Sequence, residues 1–273
     1  MSNHRNWTAG IVLAIMVLPS LGAATVVVAP ALVLGPATAI LHSGPAHPTT
    51  KTNNWAGYAV SSTAGTVTYV KGSWIEPKAV SCPATGYQYS SFWVGIDGFG
   101  TATVEQTGTD TDCWAGVATY YAWYEFYPHP SHTITSVPIH AGDTISASVK
   151  WVNSTVGFKV NLTDVTTGRN SWHTSTVSSA SRATAEWIAE APYSGGVLPL
   201  ADFGKVHFGK DATAVAGTNL ATISGTTGVL SSFGSSLYKV NMINNAGTAY
   251  KAITSAVSHD GTSFNVTWKG AGP

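Results

Sequence analysis

The sequence predicts an all-β fold, an antiparallel β-sandwich. Three observations point there. Short runs with apolar, β-branched and aromatic residues recur along the chain, and Gly, Asn, Asp or Pro punctuates nearly every gap. Gly, Ser, Thr and Val are abundant, and no long amphipathic helical pattern occurs between the runs. No segment repeats at a fixed period, which argues against a propeller or a solenoid.

The elements follow in order. Residues 1–24 read as a secretory signal: His4 and Arg5 form a positive start, Ala9 to Leu21 an apolar run, and Gly22, Ala23 and Ala24 the small residues a signal peptidase needs. Pro19, Pro30 and Pro36 interrupt the apolar character, which disfavours one continuous spanning helix. Residues 25–52 read as a propeptide or linker, and residues 53–273 as the folded domain. Within it, NNWAGYAV (53–60), TVTYVKGSWIEP (66–77), QYSSFWVGID (88–97), TATVEQT (101–107) and ATYYAWYEFYP (118–128) are the first expected strands. DTISASVKWV (143–152), VGFKVNLTD (156–164), TAEWIAE (184–190) and GKVHF (204–208) come next, then SLYKVNMI (236–243), AYKAITSAV (249–257) and SFNVTW (263–268).

Composition narrows the function classes. Charged residues make up 10% of the chain and the formal net charge is zero, against about 25% charged in an average soluble domain. No basic patch exists to draw nucleic acid or an anionic membrane. Few carboxylates also means less to lose at low pH, where acid unfolds proteins by protonating paired carboxylates. Cys82 and Cys113 are the only cysteines. In an exported chain they are expected to form one disulfide, bracketing Trp93, Asp97 and Gln106. No Cys-x-x-Cys occurs, and the close pair His129 and His132 has no obvious third ligand, so neither a metal nor another cofactor is expected.

Side chains alternate between the faces of a strand with period two. Tyr121, Trp123, Glu125 and Tyr127 therefore share a face, as do Trp93, Gly95 and Asp97, Val104 and Gln106, and Glu186, Ile188 and Glu190. If the four faces line one sheet, they make an aromatic groove floor with carboxylates and one carboxamide. Ala122, Tyr124 and Phe126 then fill the core between sheets. Such a floor suits bond hydrolysis. A glutamate can take a proton from water and return it to the leaving group, and a glutamine amide can donate to the developing oxyanion. Competing constellations are missing: no G-x-S-x-G elbow, no H-E-x-x-H, and no paired-aspartate signature.

FWVGIDG, VEQTGTD, AWYEFYP, AEWIAE and VLPLADFGKVHF occur in that order. With them the chain resembles the glutamic peptidases, the eqolisin family of secreted acid endopeptidases, from NNWAGYAV to SFNVTW. The resemblance implies a concanavalin-like sandwich of two curved sheets with polypeptide substrate lying across the concave one. It implies Gln106 and Glu190 as the catalytic pair, with Glu190 preferred over Glu186 on the family spacing. It implies Trp55, Trp93, Asp97, Asp110 and Glu125 as groove residues, to which the shared strand face adds Trp123 and Tyr127. Asp97 and Asp110 are expected as hydrogen-bonding supports. The expected product is a secreted monomer acting outside the cell.

Two departures from the family pattern stand out. Tyr121 replaces an expected Asp before AWYEFY, and Ala191-Pro192 follows Glu190 in place of an acidic–aromatic pair. Two other functions use the same groove. A glycoside hydrolase would pair Glu125 with Glu190 across a sugar, leaving Gln106 without a necessary part. A carbohydrate-binding module would tolerate the loss of Glu190.

Overall fold

The computed structural model describes residues 40–41, 48–209 and 218–272. The expected signal and most of the expected propeptide lie outside them. Among the described residues eighteen strands follow one another: β1 (Ile40–Leu41), β2 (Thr49–Thr52), β3 (Trp55–Ser61), β4 (Val67–Ile75), β5 (Tyr87–Ile96), β6 (Val104–Trp114), β7 (Val117–Tyr127), β8 (His132–Pro138) and β9 (Thr144–Asn153). Then come β10 (Gly157–Asp164), β11 (Arg169–Ser175), β12 (Thr184–Glu190), β13 (Lys205–Phe208), β14 (Leu220–Ile223), β15 (Thr226–Val229), β16 (Leu237–Ile243), β17 (Tyr250–Thr254) and β18 (Phe264–Trp268). One 3₁₀ turn, Leu230–Ser236, precedes β16.

The strands build two antiparallel layers. One runs β16–β3–β12–β5–β6–β7–β8. The other runs β18–β13–β4–β9–β10–β11, with β14 also on β4 and β15 on β14. Strand β17 pairs with both β16 and β18 and carries the ladder round one corner. The all-β sandwich that the sequence predicts is the observed fold.

Period two explains the core. Phe92, Val94 and Ile96 of β5, Ala185, Trp187 and Ala189 of β12, and Ala122 and Phe126 of β7 point inward. They meet Trp74, Val149, Phe158, Leu162, Val206 and Phe208 from the other layer. Each fully buried Phe, Val or Leu contributes roughly 1.5–3 kcal/mol of transfer free energy. The alternate residues of β5, β7 and β12 are left on the outer face of the first layer, where the candidate site lies.

Some strands exceed expectation. β6 continues past Thr107 to Trp114 and closes a hairpin onto β7. Its two turn residues, Ala115 and Gly116, both have positive φ (51° and 79°), as a type I′ turn requires. β8, β11, β14 and β15 were not legible, because their Ser, Thr, Asn and His residues lack an apolar alternation. β2 lies just before the expected domain start and pairs in parallel with β16. Among the described residues no helix is long and apolar enough to cross a membrane.

Candidate active site

Register places the predicted site residues in three adjacent rows across β3, β12, β5, β6 and β7. The first row is Trp55, Glu190, Ser91, Asp110 and Tyr121. The second is Gly57, Ile188, Trp93, Gly108 and Trp123. The third is Ala59, Glu186, Gly95, Gln106 and Glu125. The four faces inferred from alternation therefore belong to one sheet. Tyr127 stands one row further, opposite Val104, and packs on the same aromatic cluster.

Glycines make room for the central tryptophan. A Cβ on Gly108 would stand 2.6 Å from Trp93 Cβ and 2.2 Å from the Phe92 carbonyl oxygen. One on Gly95 would stand 2.9 Å from the Trp93 ring. Trp93 meets Trp55 edge to face, with ring centroids 4.8 Å apart. The floor is closed to solvent: Trp55, Trp93, Glu125 and Glu190 are 0% exposed and Gln106 is 1%. Phe99 and Tyr238 pack on the same cluster, their rings 5.3 Å apart.

Two polar constellations stand on this floor. Gln106 Nε2 donates to Glu125 Oε2 at 2.6 Å, which leaves Gln106 Oε1 buried without a partner. Glu190 accepts at both oxygens: from Asn54 Nδ2 at 3.2 Å on Oε1 and from Trp93 Nε1 at 2.8 Å on Oε2. Nearby, the Tyr121 hydroxyl lies 2.9 Å from Asp110 Oδ2 and 3.3 Å from Asp112 Oδ2. The phenol at position 121 thus takes the place of one more carboxylate beside two existing ones.

Burial governs the electrostatics. It pushes the Glu190 carboxyl well above the usual range, against the pull of the Trp93 and Trp55 indoles, and the like charges of Glu125 and Asp110 add to the rise. Glu125 is pushed up to about 8 by burial, with Gln106 opposing and Asp110 adding. Burial also takes Asp110 to about 7, and burial followed by the charge of Asp110 takes Asp112 to about 8. Asp110 and Asp112 titrate as a pair, so neither value belongs to one residue alone.

The other predicted residues are placed as follows. Asp97 lies beyond the end of β5 with φ 68°. Its two oxygens accept from the backbone N–H of Arg182 at 2.6 Å and of Ala183 at 2.8 Å. It ties the start of β12 in place and does not reach the Gln106 row. Glu186 is buried with both oxygens unpartnered, and burial raises it, as it raises Glu105. Cys82 and Cys113 are joined in a disulfide.

The model of the peptidase A4 family matches residues 53–268. The chain belongs to the peptidase A4 family. Aspergillopepsin-2 of Aspergillus niger is 35% identical over 133 residues, 47% of this chain and 46% of the relative. Scytalidopepsin B of Scytalidium lignicola is 40% identical over 102 residues, 36% of this chain and 38% of the relative. The matched stretches thus span less than half the length of either curated relative. Among solved structures, scytalido-glutamic peptidase with a peptide-based transition state analog superposes with TM-score 0.63 at 26% identity, covering 80% of this chain and 98% of that one. Aspergilloglutamic peptidase from Aspergillus niger gives 0.55 at 31%, covering 67% and 99%.

Sequence reasoning missed three polar residues of this A4 chain. Asn54 precedes β3 and has no periodic signal. Asp112 lies past the expected end of its strand. Glu76 is fully buried behind the floor, where it accepts from Thr111 Oγ1 at 2.9 Å and from Thr109 Oγ1. Burial pushes it up to about 8. The alternate threonines 107, 109 and 111, pointing away from Gln106, were the available hint of a polar patch on the reverse face.

Proposed function

We propose that the chain is a secreted endopeptidase that hydrolyses polypeptides in acid with Gln106 and Glu190. The observation that carries this reading is their shared sheet face, with Gln106 held by Glu125 and Glu190 held at both oxygens. Ionised Glu190 takes a proton from the attacking water. The free N–H of Gln106 stabilises the tetrahedral oxyanion, and its unpartnered Oε1 orients the water. Glu190 then returns the proton to the departing amine.

The proposed acid optimum rests on the resemblance to acid endopeptidases and on the low charge density. Glu125 and Asp110 stay neutral until pH passes about 7 to 8, and while neutral they do not add to the burial that opposes ionisation of Glu190. Trp55, Trp93, Trp123 and Tyr127 supply the apolar floor, and Asp110 and Glu125 support it. The family match and the curated relatives are peptidases and do not favour the sugar-cleaving alternative. Residues 1–24 act as the signal and the segment after them as the propeptide or linker, with Thr49–Thr52 kept in the domain as β2 paired to β16; the product is a monomer.

The test is digestion of a denatured casein-like protein by the purified mature domain across a pH series. Cleavage is expected in acid, insensitive to chelators and serine-protease inhibitors. Glu190→Gln and Gln106→Ala are each expected to abolish it while the fold stays intact. Full activity in either variant, or maximal cleavage at neutral pH, overturns the reading.

A further inference from the structure

We infer that Asn54 is a positioning residue for Glu190, fixing the plane of its carboxylate and favouring the ionised form that the reaction uses. The inference rests on the reading of Glu190 as the proton acceptor.

The segment before β3 is built to hold this amide. Thr52 Oγ1 accepts from the Trp55 N–H at 2.7 Å and donates to the Trp55 carbonyl at 2.9 Å, which closes a tight bend around residues 53 and 54. The Asn54 carbonyl accepts from the N–H of Ala191, the residue after Glu190, at 2.8 Å. The buried Lys251 reaches the Asn53 carbonyl at 3.5 Å. Asn54 is therefore tied to the end of β12 through its backbone, and its Nδ2 meets Glu190 Oε1 from that fixed base at 3.2 Å. Asn54 itself is 3% exposed.

The two donors on Glu190 come from different elements, β5 and the bend before β3. Trp93 of β5 holds Oε2 from one side and Asn54 holds Oε1 from the other. Neither oxygen can swing without losing a bond. A donor stabilises a carboxylate over the neutral acid. Both donors therefore work against the burial and against the charges of Asp110 on β6 and Glu125 on β7, the titratable groups that face Glu190 from the strands beyond. Trp55 and Trp93, its neighbours on β3 and β5, do not titrate. Asn54 Oδ1 is buried with no partner.

The test compares Asn54→Ala and Asn54→Asp with the parent enzyme and Glu190→Gln, by kcat and KM over a pH series. For Asn54→Ala, kcat is expected to fall about tenfold to a hundredfold, the worth of one bond to a charged group, with KM within about twofold. The acid limb of kcat/KM should move up by about one pH unit, because Glu190 becomes harder to ionise. Asn54→Asp keeps the shape and, when protonated, restores a donor. It is expected to recover activity at the acid end only. An unmoved acid limb in Asn54→Ala, or Asn54→Asp no better than Ala in acid, overturns the inference. Should Asn54→Ala fail to fold, the near-isosteric Asp variant carries the test alone: a profile like the parent's, without selective loss as pH rises, overturns it. Retained turnover in Glu190→Gln would instead remove the reading beneath.

Discussion

Gln106 and Glu125 face each other directly across the β6–β7 ladder, and the 2.6 Å bond from Nε2 to Oε2 decides which way the amide points. With its nitrogen engaged, the Gln106 oxygen is turned to the opposite side. The chemistry proposed for Gln106 depends on that orientation. Glu125→Ala is expected to lower kcat by about a hundredfold, in line with the loss of placement of a reacting group. Glu125→Gln, whose amide oxygen can accept the same bond, should recover most of it. Steady-state kinetics on a peptide substrate separates the two.

Asp97 makes a different prediction, because its partners are backbone amides away from the Gln106 row. Asp97→Ala leaves the N–H groups of Arg182 and Ala183 unmet and puts alanine at φ 68°. The expected cost is about 2–5 kcal/mol of stability, from one to two lost bonds and the left-handed backbone. Below its melting temperature the variant should keep a near-parental KM. A large rise in KM without loss of stability would assign Asp97 to substrate contact.

Stability should fall as pH rises. Glu76, Glu125 and Asp112 are pushed up to about 8 and Asp110 to about 7, above their values in an unfolded chain. Between about pH 4 and pH 8 the folded state therefore binds more protons than the unfolded one. The stability these groups contribute is complete below pH 4 and is lost as pH passes 7 to 8. Calorimetric Tm is expected to be highest near pH 3–4 and to drop steadily towards pH 8. A Tm rising from pH 4 to pH 7 would contradict the burial of these carboxyls.

The disulfide closes a loop with a sequence separation of 31 residues. Restricting the unfolded chain by that loop is worth about 3–4 kcal/mol. Replacing Cys82 and Cys113 by Ala together should lower stability by that order in denaturant titration. The β5–β6 ladder that carries Gln106 should persist, since eleven-residue β6 is paired on both sides.

The rows of the site were legible because strand alternation is a strict period, and one face assignment fixes every second residue. That Trp93, Gln106, Glu125 and Glu190 line one sheet was an assumption from sequence alone, and it is the register of β12, β5, β6 and β7 that joins their faces. Alternation ends where strands end. Asp97 continues the parity of Trp93 and Gly95 but lies past β5, and its positive φ turns it to the backbone of Arg182. Asn54 was invisible for the related reason that a bend closed by Thr52 aims it, not a period. Glu76 has partners on another strand, and only the register of β6 reveals Thr109 and Thr111 as the groups around it.

The buried carboxyls have a further consequence for how the molecule meets its surroundings. Glu76, Asp97, Glu105, Asp110, Asp112, Glu125, Glu186 and Glu190, eight of the thirteen acidic residues, all have raised pKa values. The lysines and arginines are charged in acid, Lys251 included, although burial lowers it to about 8. A chain that is neutral by formal count therefore carries net positive charge already at neutral pH, and more of it in acid. It will cling to negatively charged polymers and surfaces from acid up to about neutrality, and it will let go of them only as pH passes about 8.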